Sequence, residues 1–112
     1  MRRVSHVHYS VEDLPAAVRW FREILLVTPA FETEWMAWLR FGDFGVILDA
    51  ASTNSLGTLG LDSNDCDADY AEIVARGATP IEPPTDRPWG ARVAYLKGPA
   101  DLIVEIEQPL KQ

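Results

Sequence analysis

The sequence predicts an α+β fold built from two βαβββ modules, and three observations predict it. An extended segment, a helical segment and three further extended segments follow one another twice, over Val4–Ala50 and again over Leu56–Glu107. Within the extended segments apolar residues recur at every second position, the period of a half-buried strand. Between the copies, Ala51-Ser52-Thr53-Asn54-Ser55 is a run of small, mostly polar residues that reads as a linker. The modules therefore fall at about 1–50 and 56–112 within a single domain of 112 residues, a length that buries a modest core without staples.

The first module opens with a strand from Val4 to Ser10. Val7, Tyr9 and Val11 line one face, and His6, His8 and Ser10 the other. A helix spans Asp13 to Leu25. Asp13 is its N-cap, because a carboxylate there accepts from an orphan N–H of the first turn, and Pro15 lies where a missing N–H costs little. Leu14, Val18, Phe21 and Leu25 recur at spacings of 4, 3 and 4. Ala17, Trp20 and Ile24 widen that stripe, which is the buried side. Three strands occupy Val27–Ala50. In Met36–Phe41, Ala37, Leu39 and Phe41 oppose Met36, Trp38 and Arg40. Gly42-Asp43 then makes a two-residue hairpin with glycine first, as a type II′ turn prefers. That turn pairs Phe41 with Phe44, which sets Trp38 against Ile47 and Met36 against Asp49 and leaves Val46, Leu48 and Ala50 on the apolar side.

The second module repeats the order. Leu59 and Leu61 oppose Thr58, Gly60 and Asp62 in its first strand. A helix over Asp67–Arg76 turns Tyr70, Ile73 and Val74 inward, pairs Glu72 with Arg76 one turn on, and ends at Gly77, a left-handed cap. The carboxylates of Asp62–Asp69 lack the spacing of a calcium loop and read as a solvated helix start. Ala91, Val93 and Tyr95 are set against Arg92, Ala94 and Leu96, and Val104 and Ile106 against Glu105 and Glu107. Each module packs its apolar face under its helix. The other face gathers histidines, carboxylates and arginines around Met36 and Trp38, and Arg92 or Arg40 is the expected partner of Glu105 there. Large apolar groups suit open sheet poorly, so this mixed face reads as the wall of a cavity. Trp35 and Trp89, at matching points before the third strand of each copy, read as loop anchors.

Composition narrows the partners. Seventeen acidic and ten basic side chains give a formal charge of −7, which argues against nucleic acid and suits an amine-bearing ligand or simple solubility. No stretch approaches a membrane span, and Arg2 and Arg3 have no apolar run behind them to make a signal peptide. One cysteine, Cys66, leaves no disulfide within the chain, so the expected compartment is the cytoplasm. Its acidic neighbours disfavour a reactive thiolate.

His6-Val7-His8-Tyr9-Ser10-Val11-Glu12-Asp13-Leu14, with Ala17-Val18-Arg19-Trp20-Phe21, is similar to the opening strand and helix of the vicinal oxygen chelate superfamily, which comprises glyoxalase I, extradiol dioxygenases and bleomycin-resistance proteins. Asp69–Ala78 resembles that family's second helix, Pro88-Trp89-Gly90-Ala91-Arg92 a turn of its bleomycin-resistance-like members, and Gly98–Ile106 its final hairpin. The resemblance implies a cupped mixed sheet around a cavity with the helices outside, and a homodimer. It also implies one divalent metal (Zn, Ni, Mn or Fe) on inward-pointing N and O donors. Carried over by position, the metal ligands are His6, Asp49 and Glu105, with Leu48 in place of Asp49 if the register slips by one. The position often held by a second-module histidine is Thr58, and the glycine expected two after the hairpin proline is Asp101.

Two classes of function follow. One is a binding protein that sequesters a planar, partly aromatic small molecule on His8, Met36, Trp38, Arg40, Thr58 and Arg92. The incomplete ligand set, the inward tryptophan and the acidic charge favour it. The other is a metal-dependent lyase, isomerase or ring-cleaving dioxygenase, favoured by His6 with Asp49, Glu105 and His8. The fold hosts both.

Overall fold

The computed structural model describes residues 2–110, and the chain divides into two compact units between Leu56 and Gly57. The first contains β1 (His6–Val11), α1 (Leu14–Ile24), β2 (Phe31–Glu32), β3 (Met36–Phe41) and β4 (Phe44–Ala50). Its four-stranded sheet has the order β1-β4-β3-β2, with β1 parallel to β4 and the other pairs antiparallel. The Asp13 carboxylate caps α1, accepting from the Ala16 N–H at 3.0 Å. Leu14, Ala17, Val18, Phe21 and Ile24 form its buried stripe. Phe21 meets Phe41 edge to face at 6.2 Å, which fixes the helix over the Ala37, Leu39 and Phe41 face of β3. Val11, Leu39, Val46 and Leu48 lose all solvent contact there, each worth about 1.5–3 kcal/mol of burial.

The turns follow from the residues placed in them. Gly42 sits at φ 61°, and Asp43 does not share the positive φ, as a hairpin with glycine at its first central position requires. The register is the expected one: Phe41 pairs with Phe44, Trp38 with Ile47 and Met36 with Asp49. The end of α1 is less comfortable. Leu26, an exposed residue, takes φ 58°, where an L side chain costs roughly 1–2 kcal/mol.

The second unit has the same topology. It contains β5 (Gly57–Asp62), α2 (Cys66–Ala75), β6 (Thr79–Arg87), β7 (Ala91–Lys97) and β8 (Leu102–Pro109), in sheet order β5-β8-β7-β6 with β5 parallel to β8. Asp65 caps α2 through the Ala68 N–H at 3.0 Å, so the helix starts at Cys66, one residue before the expected Asp67. Glu72 pairs with Arg76 at 2.5 Å, and Gly77 takes φ 115°. Cys66 is buried, with its N–H held by Gln108 Oε1 at 2.9 Å. Burial, with Asp67 next, pushes its thiol above the ordinary value. The register of β6 shifts twice between Pro80 and Thr85, where Pro83 and Pro84 have no N–H to give the ladder.

One face assignment is reversed. Leu96 pairs with Val104 and Ala94 with Ile106, while Tyr95 pairs with Glu105. Arg92, Ala94 and Leu96 therefore lie on the α2 side, and Tyr95 lies with Glu105. Among the described residues, no helix is long and apolar enough to cross a membrane.

Candidate functional site

On the sheet face turned away from α1, the first unit brings together His6, His8 and Ser10 of β1, Met36, Trp38 and Arg40 of β3, and Gly45, Ile47 and Asp49 of β4. The Trp38 indole reaches across to β4 at Gly45. Its Nε1 is so close to the Gly45 backbone that a Cβ at that position would stand 2.7 Å away. Only glycine leaves room for the indole there. The buried Nε1 has no hydrogen-bond partner among the described residues. The His6 ring lies 6.1 Å from Trp38 and 5.4 Å from His8, edge-on to the latter. His8 Nδ1 meets Asp49 Oδ2 at 2.7 Å, and His6 Nδ1 meets Ser5 Oγ at 2.7 Å.

The corresponding face of the second unit carries Thr58 and Gly60 of β5, Val93 and Tyr95 of β7, and Glu105 and Glu107 of β8. Glu105 lies over Gly60, 3.6 Å from where a Cβ would be. Its carboxylate, by hydrogen-bonding the phenol, holds Tyr95 above the ordinary phenolic range, and burial adds to this. Arg87 reaches Glu82 at 2.7 Å and lies 5.9 Å from the Tyr95 ring and 6.0 Å from Trp89.

The expected ligand-binding residue Arg92 is the clear correction. Its guanidinium grips Asp67 with two bonds of 2.9 Å and Asp86 with a third, which raises its own pKa and lowers that of Asp67. It ties the first turn of α2 to β7 and β6 on the helix side, away from Glu105. Tyr95 takes the place expected of an arginine beside Glu105. Trp35 and Trp89 were expected to anchor loops; they are 69% and 62% exposed.

Setting the two copies in register on their N-caps, Asp13 and Asp65, matches His6 with Thr58 and His8 with Gly60. Through the strand pairings it matches Trp38 with Tyr95, Arg40 with Lys97, Asp49 with Glu107 and Ile47 with Glu105. Tyr95 and Arg87, which the residue pattern did not single out, line the second face, and the match of Tyr95 to Trp38 is the signal that finds it. The counterpart of Glu105 is thus the apolar, buried Ile47 rather than Asp49. Within neither unit do three or more His, Cys, Asp or Glu side chains stand together to hold a metal among the described residues. Asp49 is engaged by His8, and Glu105 by Tyr95. Within each unit the side chains do not make a metal cage.

This fold has many relatives. A structure from Nocardioides, described as a glyoxalase/bleomycin resistance protein/dioxygenase, is 22% identical, with a TM-score of 0.82, covering 99% of this chain and 85% of that one. TnmS3, an antibiotic binding protein from Streptomyces sp. CB03234, is 22% identical with a TM-score of 0.79, covering 97% of each chain. TioX from Micromonospora sp. ML1 is 21% identical with a TM-score of 0.77, covering 97% of this chain and 100% of its own. No curated protein matches the sequence. The family model of the Glyoxalase/Bleomycin resistance protein/Dioxygenase superfamily matches residues 3–106. With a doubled βαβββ topology and that match over nearly its whole length, the chain belongs to this superfamily.

Proposed function

We propose that the protein binds and sequesters a planar, partly aromatic small molecule and does not convert it. The observation that carries this reading is the Trp38 indole held against Gly45 beside His6, with an apolar Ile47 where the repeat has its carboxylate. An aromatic plane among apolar and charged neighbours suits a flat ligand with polar edges, and stacking adds about 0.5–1.5 kcal/mol beyond area burial. Met36, Arg40 and His8 share that face, and Thr58 stands on the Glu105 face of the second unit. The likeness in fold to an antibiotic binding protein is consistent with sequestration. We also propose a homodimer, since β1, β2, β5 and β6 are edge strands of their sheets and Phe31 and Ile81 on them are exposed. A cytoplasmic location accords with the single buried thiol.

Planar ligands should quench tryptophan fluorescence in the presence of a chelator, and Trp38→Ala should remove most of that affinity. The alternative is a metal-dependent lyase, isomerase or ring-cleaving dioxygenase with His6, Asp49 and Glu105 on the ion. Loss of binding on chelation would favour it, provided Zn, Ni, Mn or Fe restored binding together with turnover of an α-keto or catechol-like substrate. Sedimentation that shows a monomer at micromolar concentration would remove the dimer.

A further inference from the structure

We propose that His8 selects the ligand by accepting a hydrogen bond from a hydroxyl or N–H on the ligand's edge, so that the class bound is a planar molecule bearing such a donor. This rests on the binding reading above. Asp49 Oδ2 stands 2.7 Å from His8 Nδ1. A carboxylate ion has no proton to give, so Nδ1 carries the hydrogen and donates it. In the neutral imidazole this bond fixes the tautomer and leaves Nε2 as the lone-pair acceptor. His6 makes no comparable demand, because its Nδ1 meets the Ser5 hydroxyl, which gives or takes a hydrogen bond equally well.

The placement of His8 supports this use. β1 is an edge strand with only β4 beside it, and the His8 side chain is 53% exposed, so the ring is within reach of a ligand. Of the charged or titratable groups on this face, His6 stands next to it on β1, Asp49 on β4 and Arg40 on β3. The rings of Trp38, His6 and His8 follow one another at 6.1 and 5.4 Å. A molecule packed against Trp38 or His6 lies within about one ring's width of His8. A ligand whose edge offers only an ether oxygen faces lone pair with lone pair and loses the bond, a difference of roughly 10-fold at a half-exposed position.

The test uses 2-naphthol and umbelliferone, each against its own methyl ether, with binding measured by calorimetry at neutral pH in chelator. The wild type should bind each hydroxyl compound roughly 10-fold more tightly than the ether. His8→Phe should bind the two alike. His8→Gln, whose amide oxygen still accepts, should keep part of the preference, and Asp49→Leu, which frees the tautomer, should narrow it. Equal binding of hydroxyl and ether by the wild type overturns the proposal and leaves the binding reading standing. So does a preference that survives in His8→Phe, or one that appears only after Zn²⁺ or Ni²⁺ is added, since Nε2 would then be a metal ligand. Failure of every probe to bind overturns both readings.

Discussion

At Gly45, a single methyl group tests the geometry of the first unit's face. A Cβ there would stand 2.7 Å from Trp38 Nε1 and 3.2 Å from His6 Cβ. Non-bonded heavy atoms rest at about 3.5–4.0 Å, so the indole must retreat by roughly 0.8 Å. Trp38 has little freedom to do so, because its strand is registered on both sides, against Phe31 of β2 and Ile47 of β4. Overpacking of this kind costs about 1–3 kcal/mol. Replacing glycine by alanine returns about 0.4–1 kcal/mol by reducing the freedom of the unfolded chain. Gly45→Ala should therefore destabilise by about 0.5–2 kcal/mol. In urea, with a slope near ~1.5 kcal/mol per M, the midpoint should fall by about 0.3–1.3 M at unchanged slope. In a Trp38→Leu background the indole clash is gone, only the 3.2 Å approach to His6 Cβ remains, and Gly45→Ala should cost less, a coupling of about 1–2 kcal/mol. An unchanged or raised midpoint for the single variant would refute the reasoning. Equal losses in both backgrounds would refute it too, since the cost would then not come from the indole.

Three other outcomes follow from the structure. Leu26 is 64% exposed at φ 58°, so Leu26→Gly should raise stability by about 1 kcal/mol; a loss in thermal or urea melts would show that the side chain does more than suffer the conformation. Asp67 is held below the ordinary carboxylate range by hydrogen bonds from Arg92, so its contribution is present above the unfolded value and fades as pH falls through the folded one. Carboxyl NMR should find that low midpoint in the wild type and a return toward about 3.9 in Arg92→Gln. Tyr95 is raised from 10.0, chiefly by Glu105, so its contribution is complete below the unfolded value and is lost as pH climbs through the folded one. Glu105→Gln should move the Tyr95 phenolate midpoint, followed by absorbance, back toward that value; a midpoint that stays put would break the assignment.

Most of the fold was legible because the signals were local. Asp13 and Gly77 act at their own helix ends, and Gly42-Asp43 fixes a register that carries through six residues of β3 and β4. The faces of β1, β3 and β4 were legible because one side of each strand is decisively apolar. β7 offers no such contrast. Ala91, Val93, Ala94 and Leu96 are all buried, so apolar residues occupy both faces and parity alone does not say which is covered by α2. The choice is made by β8, where Val104 and Ile106 take Leu96 and Ala94 as partners, and by Asp67 in the first turn of α2, which draws Arg92 to its side. Those are long-range pairings that a strand pattern does not contain.

The site was legible as a face and not as a set of contacts, and the repeat explains the difference. An aromatic (Trp38, Tyr95), a cation (Arg40, Lys97) and a carboxylate (Asp49, Glu107) recur at matched positions in both copies. Elements kept in both units describe what the shared sheet face requires. Elements that differ describe what each unit has specialised to do. The first unit has His6, His8, Gly45 and Ile47 where the second has Thr58, Gly60, Ile103 and Glu105. Two imidazoles stand where the second unit has Thr58 and Gly60, a glycine where it has Ile103 and an isoleucine where it has Glu105, so the first face carries more aromatic surface and less charge. The second keeps Glu105 engaged with Tyr95. A catalytic metal centre calls for matched donors with open coordination positions. In the first unit of this chain Asp49 is instead engaged by His8, which accords with the proposal that this face recognises a molecule by shape and hydrogen bonding.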